Sequence, residues 1–296
     1  MEIHQLEYLV AVAEESHFSR AAERVGVAQP SLSQQIKKLE QEVGQPLFDR
    51  MARGIVLTEA GRVLLEHARR VLGEIADAKK HVAESSGNVG GTLVVGAIPT
   101  IAPYLLPDVL TRFSKRWPNV KLRVFEGPTS QMVRQLEDGS VDVAILSTLE
   151  PHLSIFTEEI AVEPLVLLLP AGHKFAKRKT IQWKDLQDEG FLTLNEVNCL
   201  SGQVAAYCEQ RKVQPPFFME SAQLATIAEL VSSGAGISVV PRMMAAKDAC
   251  KSRVYRPLAA PAPERVINIA TPALRYRTQA LRHFVDLVKV VIGKKT

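Results

Sequence analysis

The strongest constraint on this chain is a change of texture near residue 85. Up to Glu84 the sequence is helical in pattern, with scarcely a β-branched cluster. From Gly90 onward, short runs of Val, Ile and Leu alternate with amphipathic stretches. The join, Ser85-Ser86-Gly87-Asn88-Val89-Gly90-Gly91, is small, polar and glycine-rich, which marks a flexible boundary. At 296 residues the chain has room for about two domains, and with 46% hydrophobic residues it can bury a large core. No apolar run approaches the roughly 20 residues that span a bilayer. The start, Met1-Glu2-Ile3-His4-Gln5-Leu6, lacks the basic and apolar blocks of a signal peptide. The expectation is a soluble cytoplasmic protein without a membrane partner. Three cysteines in such a chain exclude a disulfide framework but leave room for one reactive pair.

The first part resolves into a small module. Ile3, Leu6, Leu9, Val10 and Ala13 share a helical face. A short helix from Phe18 to Val25, a Gly26 turn and a second helix from Gln29 follow, with Pro30 suited to the first helical turn. On that second helix Leu32, Ile36, Leu39 and Val43 form the inner face, while Pro30, Ser33, Gln34 and Lys37 form the outer one. Ser and Gln can hydrogen-bond base edges, Lys can neutralise phosphate, and Ser31 near the helix start suits a backbone phosphate. A glycine turn between helices is equally compatible with a hairpin whose polar face is only solvated. The wing predicted over Asp49 to Leu57, with Arg50 and Arg53 near its tip, favours DNA. The expected DNA-contacting residues are Gln29, Pro30, Ser31, Ser33, Gln34, Lys37, Arg50 and Arg53.

Thr58 then fits a helix N-cap. Gly61, Leu64, Ala68, Val71, Ile75, Ala78 and Val82 recur in steps of three and four, a seam of about three heptads. A helix from Glu59 to Glu84 would run about 39 Å. It either packs on its own domain or forms a dimerisation stalk, and the flexible exit favours the stalk. The net charge of +4 is a poor guide to partners, because residues 1–87 carry 11 basic against 13 acidic side chains and the remainder 25 against 19. Any basic surface on the first module must be local.

In the second part, strands are expected at Leu93 to Gly96, Lys121 to Phe125, Val141 to Leu146, Val166 to Leu169, Phe191 to Leu194, Ile237 to Val240 and Val266 to Ala270. Their alternation with helices implies a parallel sheet covered on both faces, split into two α/β lobes around a cleft. Thr100 and Thr129 each sit at a strand-to-helix junction, able either to cap a helix or to hydrogen-bond a ligand in the cleft. No zinc-type spacing, phosphate loop or paired carboxylate motif occurs, so no metal, no cofactor and no enzymatic activity are expected. The fold class expected is α+β multidomain, with a winged helix-turn-helix at 1–58, a linker helix and hinge at 59–89, and a two-lobed α/β effector domain at 90–296. Lobe I would take about 90–162 and 268–296, and lobe II about 163–267.

Phe18-Ser19-x-Ala21-Ala22, Gln29-Pro30-Ser31-Leu32-Ser33-Gln34-Gln35-Ile36, Leu47-Phe48-x-Arg50 and Thr58-Glu59-Ala60-Gly61 together resemble the winged helix-turn-helix of LysR-type transcriptional regulators. The resemblance spans the chain, since that family joins the module through a linker helix to an effector domain similar to periplasmic binding proteins. It implies a homo-oligomer, a dimer of dimers, that bends double-stranded promoter DNA and contacts RNA polymerase. Ile98-Pro99-Thr100, Pro103-Tyr104-Leu105-Leu106-Pro107, and Cys199-Leu200 with Gln203 and Cys208 are most similar to the OxyR-type branch, which senses hydrogen peroxide. Gly234-Ala235-Gly236-Ile237 with Pro241 fits the wider family.

The resemblance implies that Cys199 reacts with peroxide, that Cys208 resolves it to a disulfide, and that Thr100, Thr129, Asn198 and Gln203 support the site. It further implies reduction by glutaredoxin or thioredoxin. On one continuous helix the two cysteines would lie about 13.5 Å apart at Cα, whereas a disulfide needs about 7 Å or less. Oxidation would therefore force local refolding, as a switch requires. Cys199 at a helix start is expected to have a lowered thiol pKa. The chain departs from the branch at Asn198, where histidine is common, at Ser201 and Gly202, where charged residues are common, and at Phe218, where histidine often lies. Cys250 matches neither role. The alternative within the family is a regulator that binds a small organic effector in the cleft, its cysteines not a redox switch.

Overall fold

The computed structural model describes residues 1–51, 54–84, 89–147, 151–195 and 198–293, and the side chains of Arg50 and Phe218 fall outside that description along with all of Arg53. The chain divides into two compact units, one of Met1–Asn88 with Glu137–Ser140 and one of Val89–Leu136 with Val141–Thr296.

The first unit is built on α1 (Ile3–Glu15), α2 (Phe18–Val25) and α3 (Gln29–Val43), followed by the hairpin β1 (Phe48–Met51) and β2 (Gly54–Leu57) and by α4 (Glu59–Glu84). Gly26 ends α2 at φ +75°, and the Gly26 and Val27 N–H groups both return to the Ala22 carbonyl. That left-handed cap turns the chain between the two helices without the steric penalty a side chain would bring. Leu9, Val12, Ala21, Leu32, Ile36, Leu39 and Leu47 close the core, each essentially without solvent exposure. The Thr58 hydroxyl accepts the Gly61 N–H at 2.9 Å and donates to the Pro46 carbonyl at 2.7 Å, capping α4 and tying it to the hairpin. Gly61 belongs to this junction, because a Cβ there would lie 2.1 Å from the Leu47 carbonyl oxygen. Leu65 and Ala68 complete the contact, so the early part of the predicted seam packs on its own head. Val71 and Val82 further along are exposed.

The second unit begins with β3 (Gly91–Ala97), α5 (Ala102–Arg116), β4 (Val120–Glu126), α6 (Thr129–Glu137) and β5 (Val143–Ser147). Here the predicted parallel arrangement is present, with β3 pairing in parallel with both β4 and β5. Then comes β6 (Ile155–Pro170), a strand of 16 residues, followed by β7 (Phe191–Leu194), α7 (Cys199–Gln210), β8 (Phe217–Ser221), α8 (Leu224–Ser232), β9 (Ser238–Pro241), α9 (Arg242–Lys247), β10 (Arg253–Pro257), β11 (Glu264–Pro272) and α10 (Gln279–Ile292). The sheet is not wholly parallel. β11 runs antiparallel to both β5 and β6, and β6 runs antiparallel to β9 and β10. An apolar run has the same composition whichever way its neighbours point, so the alternation could not reveal these reversals.

β6 pairs with β11 over Ile155–Pro164 and with β9 and β10 over its remaining length. One strand therefore serves two hydrophobic clusters. The first gathers Val95, Leu105, Phe113, Ile145, Ile269 and Phe284. The second gathers Leu167, Phe191, Leu200, Ile227 and Val240. Burying a Leu or Phe side chain contributes about 1.5–3 kcal/mol, so each cluster is a core in its own right. The strands β6 and β11 join them.

Candidate functional site

On the N-terminal unit, α3 displays its amino-terminal half. Gln29, Pro30, Ser31, Gln34 and Lys37 are exposed and Ser33 is half-buried, while Leu32, Ile36 and Leu39 face inward. The separation follows the helical period. Gln35, between the two faces, accepts a hydrogen bond from the Gln5 amide at 3.2 Å and holds α3 against α1. In the hairpin, Arg50 lies opposite Ile55 and Met51 opposite Gly54. Arg53, the other predicted wing contact, lies outside the described residues.

In the second unit, the parallel strands β3, β4 and β5 point their carboxyl ends toward one edge, where α/β sheets place their ligand crevices. Thr100 follows β3, Thr129 opens α6 after β4, and Ser147 ends β5. α7 lies across this edge. Its Leu200, Val204 and Cys208 form one stripe buried in the second cluster. Cys199 instead packs against the first cluster, and Gln203, one turn on, donates its Nε2 to the fully buried Ser147 hydroxyl at 3.2 Å. Cys199 and Gln203 thus share a face, and Cys208 stands on the opposite one, about two and a half turns along the same helix. All three cysteines are free thiols.

Beneath Cys199 lies a buried ion pair. Glu163 of β6 and Arg265 of β11 are cross-strand partners, each about 1% exposed. Arg265 donates through Nε to Glu163 at 2.8 Å, through Nη1 to the Thr100 hydroxyl at 2.8 Å and through Nη2 to the Thr100 carbonyl at 3.1 Å. The second Glu163 oxygen accepts the Met243 N–H at 2.6 Å. One guanidinium therefore ties the start of α5 to the strands that join the two clusters. Because the Thr100 hydroxyl accepts from Arg265, its own proton remains able to donate. Thr100 does not cap α5, whose N-cap position is Ile101.

Burial pushes the Cys199 thiol pKa up. Arg265, the Thr129 hydroxyl and the N–H groups of Cys199 and Leu200 pull it down without offsetting the burial. The lowered value expected from the helix terminus alone is thus reversed, because the helix starts inside the crevice. Burial raises the Cys208 thiol further, to about 11. The Thr129 hydroxyl is buried with no oxygen or nitrogen partner, which leaves the Cys199 sulfur as its neighbour. Asn198 precedes α7 but does not cap it, donating its amide to Asn195 at 2.6 Å instead. Cys250 stands apart, its N–H donating to Asp248.

Glu163, Arg265 and Ser147 were not among the residues anticipated. The available signal was a charge set inside each of two apolar strands, Val162-Glu163-Pro164-Leu165 and Glu264-Arg265-Val266-Ile267. Such charges persist in a core only when paired. Among the described residues no group of three or more His, Cys, Asp or Glu is placed to hold a metal ion, and no helix is long and apolar enough to cross a membrane.

Comparison with known proteins agrees with this architecture. Residues 3–62 match the bacterial regulatory helix-turn-helix of the lysR family, and residues 86–291 match the LysR substrate binding domain. A hydrogen peroxide-inducible genes activator from Dickeya chrysanthemi is 35% identical over 270 residues, covering 91% of this chain and 88% of that protein. A full-length OxyR variant from Pseudomonas aeruginosa superimposes with a TM-score of 0.82 at 31% identity, over 98% of both chains. CbnR in complex with its target DNA superimposes with a TM-score of 0.72 at 25% identity, over 98% of this chain and all of that one. The two matched segments, a DNA-binding helix-turn-helix and a substrate-binding domain, span nearly the whole chain, which belongs to the LysR family, a family of transcriptional regulators and not of enzymes.

Proposed function

We propose that this chain is a peroxide-responsive transcriptional activator whose switch is reversible oxidation of Cys199 and Cys208. The observation that carries the reading is the placement of both thiols on α7. Cys199 faces Thr129 and the Arg265 guanidinium, and Cys208 lies buried on the opposite side. The Cys199 thiolate attacks one peroxide oxygen. The O–O bond breaks, sulfenic acid forms, and the departing hydroxide takes up a proton to leave as water. Arg265 and Thr129 favour the anionic sulfur, and the Thr100 proton is available to the second oxygen. Cys208 then attacks the sulfenic sulfur, forming the disulfide and releasing a second water.

Resolution is gated. A thiol with a pKa of about 11 is almost wholly protonated near neutral pH, and the helix holds the two Cα atoms about 13.5 Å apart. Cys208 attacks only once α7 has opened and released it from the core. That opening removes Leu200 and Val204 from the second cluster and Gln203 from Ser147, so the switch disturbs both halves of the unit. A disulfide reductant of the glutaredoxin or thioredoxin class would restore the dithiol.

On the DNA side, Gln29, Pro30, Ser31, Ser33, Gln34 and Lys37 present α3 to the major groove, with Arg50 and Arg53 of the wing on the flanking backbone. The exposed Val71 and Val82 of α4 supply apolar contacts for a second copy, pairing two reading heads in a dimer of dimers that contacts RNA polymerase.

The test is to treat reduced protein with sub-millimolar peroxide and map the thiols by mass spectrometry. A Cys199–Cys208 disulfide is expected, with Cys208→Ser accumulating sulfenic acid at Cys199. Absence of the disulfide refutes the redox mechanism and leaves an organic effector in the crevice as the better account.

A further inference from the structure

From the geometry of α7 we infer that Ser147 is a positioning residue, a latch that holds the cysteine-bearing helix in its reduced arrangement. The inference rests on the redox reading above and adds a residue to it. Three parallel strands each deliver one hydroxyl to the crevice edge, Thr100 after β3, Thr129 after β4 and Ser147 at the end of β5. The first accepts from Arg265 and the second borders the Cys199 sulfur. The third reaches past the cysteine to Gln203, one helical turn further on the same face. Ser147 is fully buried and fixed by β5, whose Ser147 pairs with Ile267 of β11. Its partner is set on the element that must move.

Gln203 lies between Cys199 and Cys208, inside the segment that cannot stay helical if their Cα atoms are to approach from about 13.5 Å to within about 7 Å. The Gln203–Ser147 hydrogen bond therefore belongs to the reduced state and must break before the disulfide closes. It lies on the Cys199 face of the helix, where it ties the middle of α7 to β5 while Cys208 is held by the core. Removing the hydroxyl weakens the reduced arrangement and leaves the chemistry at sulfur untouched. The reaction to be measured is the full chain's dithiol with oxidised glutathione. It gives the Cys199–Cys208 disulfide and two reduced glutathiones.

In a glutathione redox buffer, Ser147→Ala shifts this equilibrium toward the disulfide by roughly fivefold, the change expected for loss of one ordinary hydrogen bond. Ser147→Thr, which keeps the hydroxyl, stays near the parent value. In a Gln203→Leu background Ser147→Ala has no further effect, and in a Cys208→Ser background it leaves the rate of sulfenic-acid formation unchanged. A purely structural weakening would not reproduce that combination. If the parent chain forms no disulfide, the redox reading falls and the latch with it. If the parent forms it and Ser147→Ala leaves the equilibrium unmoved, the latch alone is overturned.

Discussion

If oxidation unwinds α7, its equilibrium should respond to helix propensity at positions that touch nothing. Gly202 is such a position. It lies within the helix, is exposed, and an added Cβ would meet no atom within 4 Å. Gly202→Ala should therefore change the stability of α7 and little else. Glycine in a helix interior is less favourable than alanine by about 0.8–1.0 kcal/mol, chiefly through backbone entropy. That stabilisation exists only where residue 202 is helical. If the oxidised segment leaves the helix, Gly202→Ala favours the reduced protein by about fivefold in the equilibrium constant, the exponential of about 0.9 kcal/mol over an RT of about 0.59 kcal/mol.

The reverse substitution is available on the same helix. Ala205 is exposed, and Ala205→Gly should shift the equilibrium by a similar factor toward the disulfide. The assay is titration in glutathione buffers, with disulfide content measured by alkylation and mass spectrometry. Opposite shifts in the two variants, with the sulfenylation rate of Cys199 unchanged in a Cys208→Ser background, would locate the conformational cost in residues 199–208. Equal equilibria in both variants and the parent would refute the reasoning, because they would mean that α7 keeps its backbone hydrogen bonds when oxidised.

Arg265→Met should strand the Glu163 carboxylate in the core at a cost of about 3–5 kcal/mol, seen as a fall in thermal midpoint, and adding Glu163→Gln should recover part of it. The raised Cys199 pKa sets the sign of a pH dependence: the reactive thiolate is scarce near neutrality, so stopped-flow sulfenylation should quicken about tenfold per pH unit between pH 6 and 8. A rate already level over that range would contradict the burial argument. For DNA, Gln34→Ala should weaken specific binding by about 1–3 kcal/mol, whereas Lys37→Ala should weaken all sequences alike and reduce the salt slope by about one, both checked by titration at several salt concentrations.

The features legible in the sequence were those written in short-range patterns. The turn at Gly26, the inward stripe of Leu32, Ile36 and Leu39, the Thr58 cap and the two cysteines on one helix all depend on residues within a few turns of each other. What stayed hidden depends on contacts between distant segments. Glu163 and Arg265 are 102 positions apart, and Gln203 and Ser147 are 56 apart. No local period relates either pair: the antiparallel return of β11 beside β6 sets Arg265 against Glu163, and Gln203 meets Ser147 because α7 packs at the end of β5. The same long-range burial reversed the expected pKa of Cys199. A helix terminus in water lowers a thiol pKa, but this terminus is sunk against the first cluster, where desolvation outweighs the dipole and a guanidinium already paired with Glu163. The consequence bears on sensing. Under the proposed redox switch, a thiol held protonated in the resting state would resist stray oxidation, and selectivity would rest on the groups that pull its pKa back down: Arg265, Thr129 and the first amides of α7.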